Sequence, residues 1–146
     1  MAKIGIVGGC GYIGSELYKY LSKKHKVVRF DTFVPEDKKK DYCYLDIESS
    51  IEHIHDIIDF DNSLDIVIHT AIIQLPKINE DKKKAYYVNV RGLEKVCQVV
   101  HHSDTIKALI LSGSWHVFGE SRIKGIIDEN YDYRPSSVYE KARYYA

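Results

Sequence analysis

"GGCGYIG", residues 8–14, follows the apolar run "KIGIVG" (3–8) and opens onto "YIGSELYKYLSKKH" (12–25). The run before it reads as a strand buried on both faces. The stretch after it places Ile13, Leu17, Tyr20 and Leu21 at helical spacing. Lys23, Lys24 and His25 come next, where cations suit a helix C-terminus. Gly8, Gly11 and Gly14 therefore stand between a strand and a helix, spaced G-x-x-G-x-x-G. In that place each glycine has a task. The first permits a sharp turn. The second lets an anionic diphosphate approach the backbone N–H groups, and the third lets the helix lie close on the strand. The cluster reads as a phosphate cradle, with Tyr12 and Ile13 opening its helix.

The next segment strengthens this reading. "KVVRF" (26–30) is a second strand, and Asp31 comes directly after it, 17 residues beyond Gly14. A carboxylate there accepts both hydroxyls of an adenosine ribose and repels a 2′-phosphate. The expected cofactor is NAD rather than NADP, and no arginine directly follows Asp31. A loop-capping aspartate is the structural alternative.

Further along, strands and helices alternate. "YCYL" (42–45), "LDIVIH" (64–69) and "IKALILS" (106–112) read as strands. Helices are expected over 49–60, with a serine cap, and over about 81–101. The inner face of the second would be Ala85, Asn89, Gly92, Leu93, Val96, Cys97 and Val100. Residues 32–41 read as an exposed loop, and "PSSVYEKARYYA" (135–146) as the start of another helix. The lysine triplets 38–40 and 82–84 read as solvated surface. This order predicts an α/β fold: a Rossmann-like doubly wound parallel sheet of order 3-2-1-4-5 with right-handed crossovers. Ligands of such sheets sit beyond the carboxyl ends of the strands. Here those ends carry Gly8–Gly14, Asp31, Asp46, His69–Ala71 and Ser112–Ser114.

Composition narrows the classes. The chain has 146 residues, 45% of them hydrophobic, enough for one packed domain. Lys and Arg number 21 and Asp and Glu 21, so there is no basic footprint for nucleic acid. Cys10, Cys43 and Cys97 are far apart, with neither a disulfide framework nor a zinc-type cluster. Free thiols point to the cytoplasm. The N-terminus lacks a signal-peptide layout, and no apolar run approaches the ~20 residues of a membrane span.

The glycine spacing resembles the short-chain dehydrogenase/reductase superfamily. The remaining motifs resemble its extended branch, the NAD-dependent nucleotide-sugar epimerase/dehydratase family, over essentially the whole chain. "YLDI" (44–47) resembles the family's acidic residue after the third strand. That implies Asp46 on the adenine amino group, with Ile47 beside it. "HTAII" (69–73) resembles H-x-A-A, with Ala71 leaving room for the cofactor and Ile72 departing from the second alanine. His69 reads as a structural histidine. "YVNVRG" (87–92) resembles N-x-x-G, which implies that Asn89 supports the cofactor site through the sheet backbone. "LSGSWHVFGE" (111–120) resembles the serine-bearing catalytic segment. Ser114 takes the catalytic position and Ser112 a structural one at the cofactor's edge. Trp115 and His116 replace the Asp-Glu pair of sugar 4,6-dehydratases, which argues against that elimination chemistry. "YEKAR" (139–143) resembles Y-x-x-x-K, with Tyr139 catalytic and Arg143 in the lysine's place.

The resemblance implies an oxidoreductase-type epimerase or reductase of a nucleotide sugar. Tyr139 would take a hydroxyl proton while hydride passes to NAD, with Ser114 bonded to the same oxygen. A tyrosine needs nearby positive charge to work near neutrality, and Arg143 supplies it without acting as a proton carrier. The last helix has barely begun at Ala146, so residues 1–146 are expected to form an incomplete NAD-binding domain of a longer enzyme. An exposed apolar edge and self-association are expected with it. Family resemblance implies a homodimer through the 81–101 helix and the one starting near Ser136. Two other readings stay open: a non-catalytic NAD-binding or redox-sensing module, and a reductase of a small carbonyl compound.

Overall fold

The computed structural model describes residues 1–35, 41–119, 125–135, 137 and 140–141. Five strands form a parallel sheet in the order β3-β2-β1-β4-β5, as the alternation of elements predicts. They are β1 (Lys3–Val7), β2 (Lys26–Asp31), β3 (Tyr42–Tyr44), β4 (Ile66–His69) and β5 (Ala108–Leu111). In the register of the sheet, Val7 lies beside Phe30 and His69, and His69 beside Leu111. The strands thus end level, and Gly8, Asp31, Thr70 and Ser112 emerge on one edge. The central strands are apolar because both faces are covered.

On one face Val7, Phe30 and Val67 meet Ile54, Ile58, Val96 and Val99 from the helices. On the other, Ile4, Ile6, Val27 and Ile68 pack under Leu17, Tyr18 and Leu21 of helix α1 (Tyr12–Leu21). Each such fully buried side chain contributes about 1.5–3 kcal/mol. Arg29 is buried on the α1 face, where its guanidinium lies 4.0 Å from the centre of the Tyr18 ring. The outer strand β5 leaves Ile110 and Leu111 exposed.

The other helices are α2 (Ile51–His55), running into a π-helical turn (Asp56–Phe60), and the short α3 (Lys77–Glu80). After them α4 (Lys82–Tyr86), a π-helical stretch (Tyr87–Gly92) and α5 (Leu93–His102) run on without a break. Ser50 caps α2 through His53 N (3.3 Å). Ala85, Asn89, Gly92, Leu93 and Val96 are buried as the spacing predicts; Val90 and Val99 join them, whereas the expected Cys97 and Val100 are half-buried. Of the expected 135–146 helix, Ser137 and Glu140 form a capping box. Ser137 N donates to Glu140 Oε2 (2.8 Å) and Glu140 N to Ser137 Oγ (3.1 Å). Tyr139 and Arg143 lie outside the described residues, as do lysines 38–40. Among the described residues, no helix is long and apolar enough to cross a membrane, and no His/Cys/Asp/Glu group could hold a metal ion.

Candidate cofactor groove

The glycine loop is built by backbone geometry. Gly8 has φ +80°, and a Cβ there would meet Ala71 N at 2.5 Å. A Cβ on Gly14 would collide with the Gly8 carbonyl, so glycine alone lets α1 lie on the loop. Gly11 differs: a Cβ there would approach only Gly8 O, at 3.3 Å, and the residue is exposed at the mouth.

Most donors of the loop are used by the fold itself. Gly8 N and Gly9 N both donate to Phe30 O, and Gly11 N donates to Gly8 O. Cys10 N donates to Asp31 Oδ2 at 2.9 Å. The first donation inside α1 is Ser15 N to Gly11 O, and Gly11 offers no side-chain cap. The N–H groups of Tyr12 and Ile13 therefore stand at the open helix end without an acceptor among the described residues. A diphosphate fits that cradle.

Asp31 faces the loop, with Oδ1 taking a second bond from Phe33 N (3.1 Å). Each oxygen keeps lone-pair capacity for a ribose hydroxyl. The Asp31 carbonyl accepts from the Tyr42 hydroxyl (3.1 Å). Burial, with the Cys10 thiol and Asp31 nearby, pushes that phenol above its ordinary range. Asp46 Oδ1 accepts from Glu48 N (2.9 Å) and thereby shapes the turn after β3.

A groove of about 570 Å³ runs over Gly8, Gly11, Asp31 and Asp46, whereas Tyr12, Ile13 and Gly14 are not among its lining residues. Of the residues singled out in the sequence, Gly8, Gly11, Asp31, Asp46, Ile47 and Ala71 line it together. Its dimensions suit a dinucleotide segment.

The supporting residues act through the walls. Asn89 is buried, and its amide brackets one residue of the wall. Ile73 N donates to Asn89 Oδ1 (2.7 Å), and Asn89 Nδ2 donates to Ile73 O (2.9 Å). One turn on, Gly92 admits Ile47: a Cβ would lie 2.7 Å from Ile47 Cδ1 and Cγ1. Another turn on, Lys95 Nζ donates to Glu48 O (2.9 Å) and Ser49 O (2.6 Å). A single helix thus fixes both walls. Thr70 adds a tie from β4, its hydroxyl reaching Val7 O (3.0 Å) and Gly8 O (3.2 Å).

Ser112 and Ser114 stand after β5 and are not among the residues lining this groove. Ser112 N donates to His69 O (3.4 Å), and Ser114 Oγ caps the 3-10 turn Trp115–Phe118 through His116 N (3.4 Å). Trp115 stacks on His116, ring centres 4.4 Å apart. His69 is buried within the sheet, as a structural histidine would be.

Lys77, Lys84 and Lys95 were not read from the sequence as parts of the site. The triplet 82–84 is exposed, as its solvated-surface reading expects, and Lys84 also stands among the residues lining the groove. Asp81 Oδ1 accepts from Lys84 N (2.8 Å), so α4 begins at Lys82, and Ala85 turns inward. The acidic residue before the triplet was the available signal.

Comparison with known proteins agrees with this geometry. WbmH of Bordetella bronchiseptica, solved in complex with NAD+, is 23% identical with a TM-score of 0.83, covering 99% of this chain and 50% of that one. The UDP-Glc/GlcNAc 4-epimerase of Campylobacter jejuni is 18% identical (TM-score 0.80; 99% and 46% covered). A monomeric L-threonine 3-dehydrogenase from a metagenome is 27% identical (TM-score 0.82; 97% and 46% covered). The chain spans about half the length of these structures. No curated protein sequence matches it. The model of the NAD dependent epimerase/dehydratase family matches residues 4–146, and the chain belongs to that family.

Proposed function

We propose that the chain is the NAD-binding part of an epimerase or reductase that acts on a nucleotide sugar. The supporting observation is the convergence of Gly8, Gly11, Asp31, Asp46, Ile47 and Ala71 on one groove. Tyr12 and Ile13 offer N–H groups to the diphosphate, and Asp31 takes the adenosine ribose. Asp46 and Ile47 border the adenine, while Asn89 and Ser112 support the site from behind. When bound, the nicotinamide supplies a hydride acceptor. Tyr139 receives the proton of the substrate hydroxyl, Ser114 bonds the same oxygen, and Arg143 supplies the positive charge that favours the tyrosinate.

The test pairs catalysis with binding. The protein is incubated with NAD and a panel of UDP-, dTDP- and GDP-hexoses, and sugar products are detected by NMR. Turnover of one member is expected, lost in Tyr139→Phe and Ser114→Ala with NAD affinity unchanged. Arg143→Lys checks the departure from the family pattern. A large gain would show that arginine handicaps the site, and a loss that it is the evolved partner. A second reading, oxidation or reduction of a small alcohol or ketone, is favoured by the likeness to L-threonine 3-dehydrogenase. The same panel extended with L-threonine separates the two.

A further inference from the structure

We propose that Lys77 and Lys84 form a cationic rim that binds the diphosphate of the cofactor across the groove from the glycine loop. The inference rests on the NAD reading above and extends it to two residues outside the family motifs. The groove carries three carboxylates, Asp31, Asp46 and Glu48, and its only cations among the described lining residues are these two lysines. A diphosphate entering it meets net repulsion unless those lysines answer it. The loop offers little help. It contains no basic side chain, and the N–H groups of Gly8, Gly9, Cys10 and Gly11 are engaged within the fold. That leaves the N–H groups of Tyr12, Ile13 and Gly14 at the helix end for two charged phosphates.

The two lysines are held in place by their neighbours. Ile78 and Ala85 are almost wholly buried and pack with Ile73 in a small apolar cluster. Each lysine immediately precedes one of these anchors, so burying the anchors fixes where both stems begin. Neither ammonium is paired with a carboxylate among the described residues. Lys19, by contrast, bonds Glu16, and Lys107 lies near Asp65. Lysine is a compact point charge on a flexible stem, suited to a phosphate whose exact position the loop sets.

The test is calorimetric titration of wild type, Lys77→Gln, Lys84→Gln, the double glutamine variant and the double arginine variant. The ligands are NAD, adenosine and a UDP-hexose, each at low and high salt. The double glutamine variant is expected to bind NAD on the order of tenfold more weakly at low salt, with a flatter salt dependence. Adenosine affinity should be unchanged, and the arginine variant should recover NAD binding. Unchanged NAD affinity and salt slope in the double glutamine variant would overturn the rim. So would an equal loss for adenosine, which would make the lysines part of the adenosine wall. Lysine-dependent binding of the UDP-hexose with no NAD binding in wild type would refute a cofactor role and assign the lysines to a substrate diphosphate. Wild type binding neither ligand would refute the rim and the NAD reading together.

Discussion

Asn89 spans Ile73 from both sides, accepting from its N–H at 2.7 Å and donating to its C=O at 2.9 Å. A side-chain amide here does what a neighbouring strand would do, beyond the end of the sheet's own ladder. Without it the backbone groups of Ile73 lose their partner. Asn89→Leu is expected to destabilise the fold by about 2–4 kcal/mol in urea denaturation. Asn89→Asp should be comparably harmful near neutral pH, because an oxygen would then face the Ile73 carbonyl. Near-wild-type stability in either variant would contradict this.

Gly92 and Ile47 make a coupled pair. In isolation, Gly→Ala inside a helix gains up to about 1 kcal/mol. Here the new methyl would sit 2.7 Å from Ile47 Cγ1, and overpacking of that kind costs about 1–3 kcal/mol. Gly92→Ala is therefore expected to lower the melting temperature and weaken NAD binding, since Ile47 lines the groove. Adding Ile47→Val should return part of both losses. A double-mutant cycle reads the coupling directly, and simple additivity would rule the contact out.

The glycine loop should tolerate substitution unevenly. Gly8→Ala meets the Ala71 backbone at 2.5 Å in a left-handed conformation, and Gly14→Ala meets the Gly8 carbonyl. Both should unfold at markedly lower denaturant than wild type, by more than about 2 kcal/mol. Gly11→Ala meets only Gly8 O at 3.3 Å. It should keep nearly full stability while losing cofactor affinity, because the added methyl stands at the mouth. Equal stability losses at all three positions would count against the division of labour.

Burial raises the thiols of Cys43 and Cys97 above their ordinary range. Their folded-state pKa therefore exceeds the unfolded one, and the neutral thiol is the form the fold prefers. The stability this contributes is complete below the unfolded thiol pKa, about 8.5, and is lost as pH rises through the folded value. Melting scans across that window should show a fall that Cys43→Ala with Cys97→Ala reduces. Both thiols should also alkylate slowly at neutral pH compared with a free thiol.

Much of the fold was legible because it depends on short-range signals. Apolar runs ending in glycine or aspartate marked the strands, and alternation with helical spacing set the order of the sheet. The loop and Asp31 were legible for the same reason. Most of the long helix's inner face was legible too: Ala85, Asn89, Gly92, Leu93 and Val96 are buried, and only Cys97 and Val100 fall short at half-buried. The π-helical widening at Tyr87–Gly92 was not legible, because nothing local marks it. That Lys84 borders the groove was not legible, because a lysine run looks alike on any surface and only the burial of Ala85 fixes where its stem begins. Asn89 could be placed on the inner face, but its partner Ile73 lies 16 residues away and is brought there by folding.

Calorimetry with NAD and NADP under identical conditions tests the cofactor assignment most directly. NAD is expected to bind saturably with one site per chain and at least about tenfold more tightly than NADP, through the charge that Asp31 sets against a 2′-phosphate. Asp31→Asn should narrow that gap by removing the charge. Tighter binding of NADP, or no binding of either dinucleotide by the folded protein, would contradict the assignment of the groove.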